Sequence, residues 1–173
     1  MCCVGSQRAC VVLIMTGRGM TVSAARARRR MNPQKNIEAQ RRFIEAINSG
    51  RLVMLKELID PSLVDHDPAT GQRHGAAGYI DFFSELLGAF PDLKIQVKHL
   101  VADEHSVAMA YKMTGTHRGS FLGVEPTGHT IISRGIQIGR YNGGRIVERW
   151  GVMDELGILE QLGVAPGRNR AMA

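Results

Sequence analysis

Around Pro91 the apolar period of this chain changes, and that change limits its fold more than any other feature. Before it, Tyr79, Phe82, Phe83, Leu86, Leu87 and Phe90 step by three or four residues. Such spacing builds one apolar face on a helix, which Pro91 ends. After it, Leu93, Ile95, Val97, His99 and Val101 alternate with polar residues. Asp103-Glu104 makes a turn, and Val107, Met109, Tyr111 and Met113 resume the alternation on a second strand. A Gly/Pro-punctuated loop, Arg118 to Gly128, leads into a third strand from Ile131 to Tyr141. Asn142-Gly143-Gly144 is a hairpin signal, Ile146 to Asp154 returns, and Leu156, Leu159 and Leu162 give a last short helix.

Upstream, Asn32-Pro33 opens a first helix carrying Ile37, Phe43, Ile44 and Ile47, stopped by Asn48-Ser49-Gly50. Leu52, Leu55, Leu58 and Ile59 mark a second short helix before Pro61, and LVDHDP (Leu63 to Pro68) reads as extended. Three helices followed by an antiparallel meander predict an α+β fold, with the helices segregated on one face of the sheet. No repeat and no second domain is visible. GTHRG (Gly115 to Gly119) lacks the lysine and the following helix that a phosphate-binding loop requires.

The formal charge of +6 suggests a nucleic-acid partner until the charge is located. Six arginines precede Met31 with no acidic residue beside them, and they account for the whole excess of 22 basic over 16 acidic residues. The body is therefore neutral, and nucleic acid is not an expected partner. All three cysteines also precede Met31, so the body has neither disulfide nor thiolate chemistry. Ala9 to Met15 is apolar but far shorter than the ~20 residues of a membrane span. It also lacks the flanks and cleavage site of a secretory signal. Residues 1–30 are expected to form a basic, unstructured extension, with Met31 or Met20 a plausible start of the working protein. Residues 31–165 are expected to be one domain and 166–173 a disordered tail; the expected location is cytoplasmic, away from membranes.

The strand Ile131 to Tyr141 has two unlike faces. Ile132, Arg134, Ile136, Ile138 and Arg140 are bulky, whereas Ser133, Gly135, Gln137 and Gly139 are small or polar. Such a face either leaves a hollow in the core or marks bends in a curved sheet. The hairpin register decides which returning residues share it. A three-residue loop sets Gln137 opposite Arg149 and Ser133 opposite Met153; a shift by one turns Glu148, Trp150 and Asp154 inward.

GTHRGSFLGVEPTGH (Gly115 to His129), followed by GGRIVERW and DELGILEQLG (Gly143 to Gly163), resembles the SnoaL-like polyketide cyclases, also called ester cyclases. LVDHDP and GYIDFF support the match, which runs from about Asn36 to Gly163. The resemblance implies a cone-shaped α+β fold like that of nuclear transport factor 2, with an apolar pocket inside a curved sheet. It also implies a homodimer or higher homo-oligomer built on the outer face of the sheet. The reaction it implies is an intramolecular aldol ring closure on a hydrophobic polyketide-like ester, with no metal and no cofactor. One aspartate serves as acid and base; it falls at Gly151 here, a departure from the pattern. Supporting polar positions fall at Gly135, Gln137 and Asp65.

Asp65, His117 and Asp154 are accordingly the catalytic candidates. Asp65 occupies the polar position near the first strand, and a carboxylate in an apolar cavity can abstract an α-proton. His117 can polarise a carbonyl or bridge the loop. Asp154 can replace the missing carboxylate or cap the last helix. Asp67 reads as a backbone cap in an exposed turn, or as part of the same ionisable cluster. His66, Phe83, Ser133, Gln137, Arg149, Trp150 and Met153 are the expected substrate-binding set. His99, His105 and His129 are too scattered for a metal site. Two alternatives stand beside the cyclase or isomerase: a module of the same fold that only holds a small hydrophobic molecule, and an epoxide hydrolase in which Arg149 works with Asp65 or Asp154.

Overall fold

A computed structural model describes residues 33–164. The readings made on the basic extension, its cysteines, the start site and the C-terminal tail lie outside the described residues. Helix α1 (Pro33–Asn48) buries Phe43, Ile44 and Ile47 on one face. A 3-10 turn and the short α2 (Leu55–Leu58) follow, then β1 (Ile59–Asp65) and α3 (Gly75–Ala89). The meander comprises β2 (Lys94–Ala102), β3 (Ser106–Thr116), β4 (Thr130–Asn142) and β5 (Arg145–Met153), and α4 (Glu155–Gln161) closes the chain. Helices cover one face of one five-stranded sheet ordered β1-β5-β4-β3-β2. The fold is α+β with an open, curved sheet, as expected.

The sheet is mixed rather than purely antiparallel, because β1 lies parallel to β5. Ile59, expected on the second helix, already begins this strand. Pro61 is tolerated there because β1 is an edge strand, and its pairing is irregular between Ile59 and Val64. A bulge also corrects the expected face of β2. The register skips Lys98 between the Val97–Tyr111 and His99–Ala110 pairs, so Leu100 and Ala102 pack on the core while Val101 is exposed.

The hairpin register matches neither expected count. Asn142 pairs with Arg145 across Gly143-Gly144, both in the left-handed region, as a two-residue hairpin turn wants. An irregularity then lets Val147 drop out of the pairing, and Gly139 meets Arg149, Gln137 meets Gly151, and Gly135 meets Met153. The extra residue returns Arg149, Gly151 and Met153 to the inner face, the set the three-residue count favoured.

Side-chain amides finish the backbone pairing where strands run out. Asn48 accepts from Ile95 N–H (2.7 Å) and donates to Ile95 O (2.9 Å) on the edge strand β2. Gln161 does the same for Ile132, at 2.8 and 3.0 Å, beyond the end of β5. Each replaces a missing strand neighbour and blunts an edge. The apolar face of α4 is Ile158 and Leu162; Leu156 points to solvent.

Candidate functional site

Where β1 and β5 run side by side, two three-residue stretches alternate in step. Asp65 pairs with Arg149, and His66 N–H continues the ladder to Arg149 O at 2.9 Å. Because successive residues of a strand face opposite sides, Asp65 and Asp67 point with Arg149 and Gly151 to the helix-covered face. His66 and Trp150 point to the other. Arg149 Nη1 donates to Asp65 Oδ1 (2.8 Å) and to Asp67 O (2.7 Å). Gln72 donates to the second Asp65 oxygen (3.0 Å), and Gly151 N–H donates to Asp67 Oδ2 (3.0 Å). The Arg149–Asp65 pair is buried, with 12% and 7% of the side chains exposed.

Helix α3 adds the next layer. The Arg149 guanidinium lies over the Tyr79 ring, 5.4 Å from its centre. The Tyr79 hydroxyl donates to Gln137 Oε1 at 3.0 Å, which fixes the amide and leaves Nε2 as its free end. Gln137 Nε2 and Arg149 Nε are buried and have no hydrogen-bond partner among the described residues. Both residues line a chamber of about 30 Å³ walled by Phe43, Phe83, Tyr111, Met113 and Met153. A mouth of about 180 Å³ shares Tyr79, Phe82, Arg149 and Met153 with that chamber and adds Asp67, Gly151 and Glu155.

Burial pushes the Tyr79 hydroxyl well above the ordinary tyrosine range, with Arg149 pulling weakly the other way. It therefore stays a neutral donor. Burial opposes the charge of Arg149, but Tyr79 and the Asp65 hydrogen bond outweigh it and hold the guanidinium above its usual value.

The small residues of the inner face have a physical use. A Cβ on Gly135 would lie 2.3 Å from the Tyr111 ring, and one on Gly151 would lie 2.7 Å from Arg149 Nη2. A Cβ on Gly139 would lie 3.1 Å from the Tyr141 ring. The glycines thus receive large side chains from neighbouring positions, and the hollow that remains is small.

A family model, SnoaL-like polyketide cyclase, matches residues 37–162. The chain belongs to the SnoaL-like polyketide cyclase family. IdmH from Streptomyces antibioticus, a proposed polyketide cyclase, is 34% identical; the match covers 77% of this chain and 99% of that one, with a TM-score of 0.65. AclR from Streptomyces galilaeus, a proposed hydroxylase, is 28% identical over 78% of this chain and 100% of its own, with a TM-score of 0.70. TsrD from Streptomyces laurentii shares the fold at 22% identity, with a TM-score of 0.71 and coverage of 77% and 98%. No curated protein matches the sequence.

In this SnoaL-like chain the position where the resemblance implies an aspartate is Gly151, and Arg149 fills the space beside it. Of the expected residues, Phe83, Gln137, Arg149 and Met153 line the chamber and Ser133 is buried on the same face, whereas Asp65 does not line it and lies behind Arg149 as its ion-pair partner. The other expected residues lie elsewhere. His66 and Trp150 stack on the outer face (4.4 Å, 3°), where His66 also meets Glu148, because they occupy the alternate positions of their strands. Asp154 is exposed, and its Oδ1 accepts from Gly157 N–H at 2.9 Å, capping α4. His117 lies beyond the far end of β3, eight residues from Met109, the partner of Gln137, or about 26 Å along a strand. Its Nδ1 accepts from Thr127 N–H at 3.2 Å and its ring packs on Phe90, so it fastens the loop. Distance separates it from Asp65.

Sequence reasoning missed the Tyr79 hydroxyl, read there only as part of an apolar face, and left Asp67 open between a backbone cap and a member of the ionisable cluster. The signal for Asp67 was the continued alternation of Asp65-His66-Asp67. Among the described residues no His/Cys/Asp/Glu cluster could hold a metal, and no helix is long and apolar enough to cross a membrane.

Proposed function

We propose that this protein is a cofactor-independent acid/base cyclase or isomerase acting on a hydrophobic carbonyl compound, of the polyketide-like ester class. The observation that carries the reading is the pair of unpartnered buried donors, Arg149 Nε and Gln137 Nε2, on an aromatic-walled chamber. A buried donor without a partner costs free energy unless something accepts from it, and a carbonyl oxygen gaining charge as an enolate is such an acceptor. The chamber is too small for a whole polyketide. The reacting end therefore enters through the mouth, past Tyr79 and Phe82, and the rest of the substrate stays outside the chamber. In the reaction the α-carbon loses a proton, the enolate carbon attacks a second carbonyl, and the resulting alkoxide takes a proton back, so mass is conserved.

A panel of linear aryl- and alkyl-capped poly-β-keto methyl esters, each with a further ketone placed for six-membered ring closure, tests this by chromatography and mass spectrometry. The expected product is isomeric with its substrate, or lighter by one water if dehydration follows. Ligand recovered unchanged after saturable binding would instead make the protein a binding module, the reading that Gly151 and the small chamber favour. The hydrolytic reading draws on Arg149 standing between the Asp65 carboxylate and the Asp67 carbonyl. An epoxide product heavier by one water would support it. For assembly, the exposed Ile132, Ile136, Ile138 and Val152 on the outer sheet face favour a homodimer formed there.

A further inference from the structure

We propose that Asp67 is the catalytic acid and base of this site, an inference that rests on the carbonyl-compound reading above and names the group that moves its proton. The other nearby carboxylates are engaged or unfixed. Asp65 accepts from Arg149 and Asp67 N–H on one oxygen and from Gln72 on the other. Asp154 caps α4. Glu155 reaches the mouth from the first turn of α4, with no hydrogen bond from the described residues to fix its carboxylate. Asp67 alone is both held and free. Its Oδ2 accepts from Gly151 N–H at 3.0 Å, its carbonyl accepts from Arg149 Nη1 at 2.7 Å, and Oδ1 has no partner among the described residues.

Glycine at 151 and aspartate at 67 form one arrangement. The bare Gly151 backbone leaves room for Arg149, which a Cβ would meet at 2.7 Å. Its N–H then anchors a carboxylate arriving from the neighbouring strand. That carboxylate shares the mouth with Tyr79, Arg149 and Met153 and adjoins the chamber holding the unpartnered Gln137 amide. A carbonyl oxygen on the donors of Arg149 and Gln137 would bring its α-carbon towards Asp67 Oδ1. The α C–H bond breaks, its proton goes to Oδ1, and its electron pair moves to the carbonyl oxygen. The enolate carbon then forms the new C–C bond to a second carbonyl within the same molecule. The alkoxide recovers the proton from Asp67, restoring the carboxylate. No oxidant or second reactant is needed.

The test is exchange of solvent deuterium into the methyl group of acetophenone, followed by proton NMR with the full chain, its D67N, D67A and E155Q variants, and buffer alone. Asp67 is exposed, and D67N keeps an oxygen for Gly151 N–H, so unchanged melting serves as the folding control. The expected result is exchange by the wild type, a loss of about 100-fold or more in D67N, and recovery of D67A by added acetate. Exchange by the wild type that persists in D67N, or that falls further in E155Q than in D67N, overturns Asp67 while leaving the carbonyl chemistry standing. A wild type no faster than buffer overturns both.

Discussion

Replacing Arg149 with methionine isolates the interaction on which the inner polar group depends. The Arg149 side chain is 12% exposed and that of its partner Asp65 is 7% exposed, so both charges sit largely out of water. R149M removes the 2.8 Å bond to Asp65, the 2.7 Å bond to Asp67 O and the contact over Tyr79. Asp65 keeps only Gln72 and the Asp67 N–H at 3.0 and 3.2 Å. Breaking a buried pair from one side leaves a charge without compensation and costs about 3–5 kcal/mol. The lost cation–π contact belongs to the same event and is not added separately. With a urea slope of roughly 2 kcal/mol/M, the midpoint falls by about 2 M. Trp150, the chain's single tryptophan, adjoins Arg149 and reports the transition by fluorescence. Adding D65N to R149M removes the stranded charge, and the double variant should recover about 1–3 kcal/mol. A loss below about 1 kcal/mol with an unchanged slope would show a solvent-screened pair and refute the reasoning.

Other perturbations test separate parts of the structure. Gly135→Ala forces a Cβ to within 2.3 Å of the Tyr111 ring and 2.7 Å of Val152 O, so it should cost about 1–3 kcal/mol in urea denaturation. Gly88→Ala, where a Cβ meets nothing within 4 Å, should be tolerated. All three tyrosines, Tyr79, Tyr111 and Tyr141, are pushed above the ordinary range, by burial first in each case. The folded chain therefore holds phenolic protons that the unfolded chain releases above about pH 10. Stability is full below that pH and falls as pH rises beyond it, by about 1.4 kcal/mol per unit for each tyrosine. Absorbance at alkaline pH should show the Tyr79 and Tyr141 phenolates appearing only with unfolding; reversible titration of all three phenols near pH 10 in the folded protein would contradict this. Light scattering should give a dimer mass, and Ile136→Lys on the outer face should give a monomer that melts cooperatively.

Much of the fold was legible because it rests on periodicity. The α3 face, the alternation of β3 and β4, and the Asn142-Gly143-Gly144 turn all express local preferences that neighbours did not overturn. What sequence concealed were one-residue events. The bulge at Lys98 turned Val101 outward, and the unpaired Val147 settled the inner face of β5 by a route no loop count describes. The parallel docking of β1 was equally hidden, because a short edge strand containing Pro61 has little pattern of its own. For the candidate site, Asp65, Gln137, Arg149 and Met153 lie on one face, as strand alternation and family resemblance pointed to. His66 and Trp150 were misplaced because the register was open. For His117 and Asp154 the sequence offered two roles each, and the structure has the loop-bridging and helix-capping ones, because distance along a strand and capping geometry are properties of the folded chain.

The most direct test of the proposed function is a crystal structure of the protein with a bound aryl β-keto ester. The account predicts a carbonyl oxygen within hydrogen-bond distance of Arg149 Nε or Gln137 Nε2, with the α-carbon facing Asp67. A ligand seated in the mouth with its carbonyl turned away from both donors, or bound only on the outer face of the sheet, would contradict it.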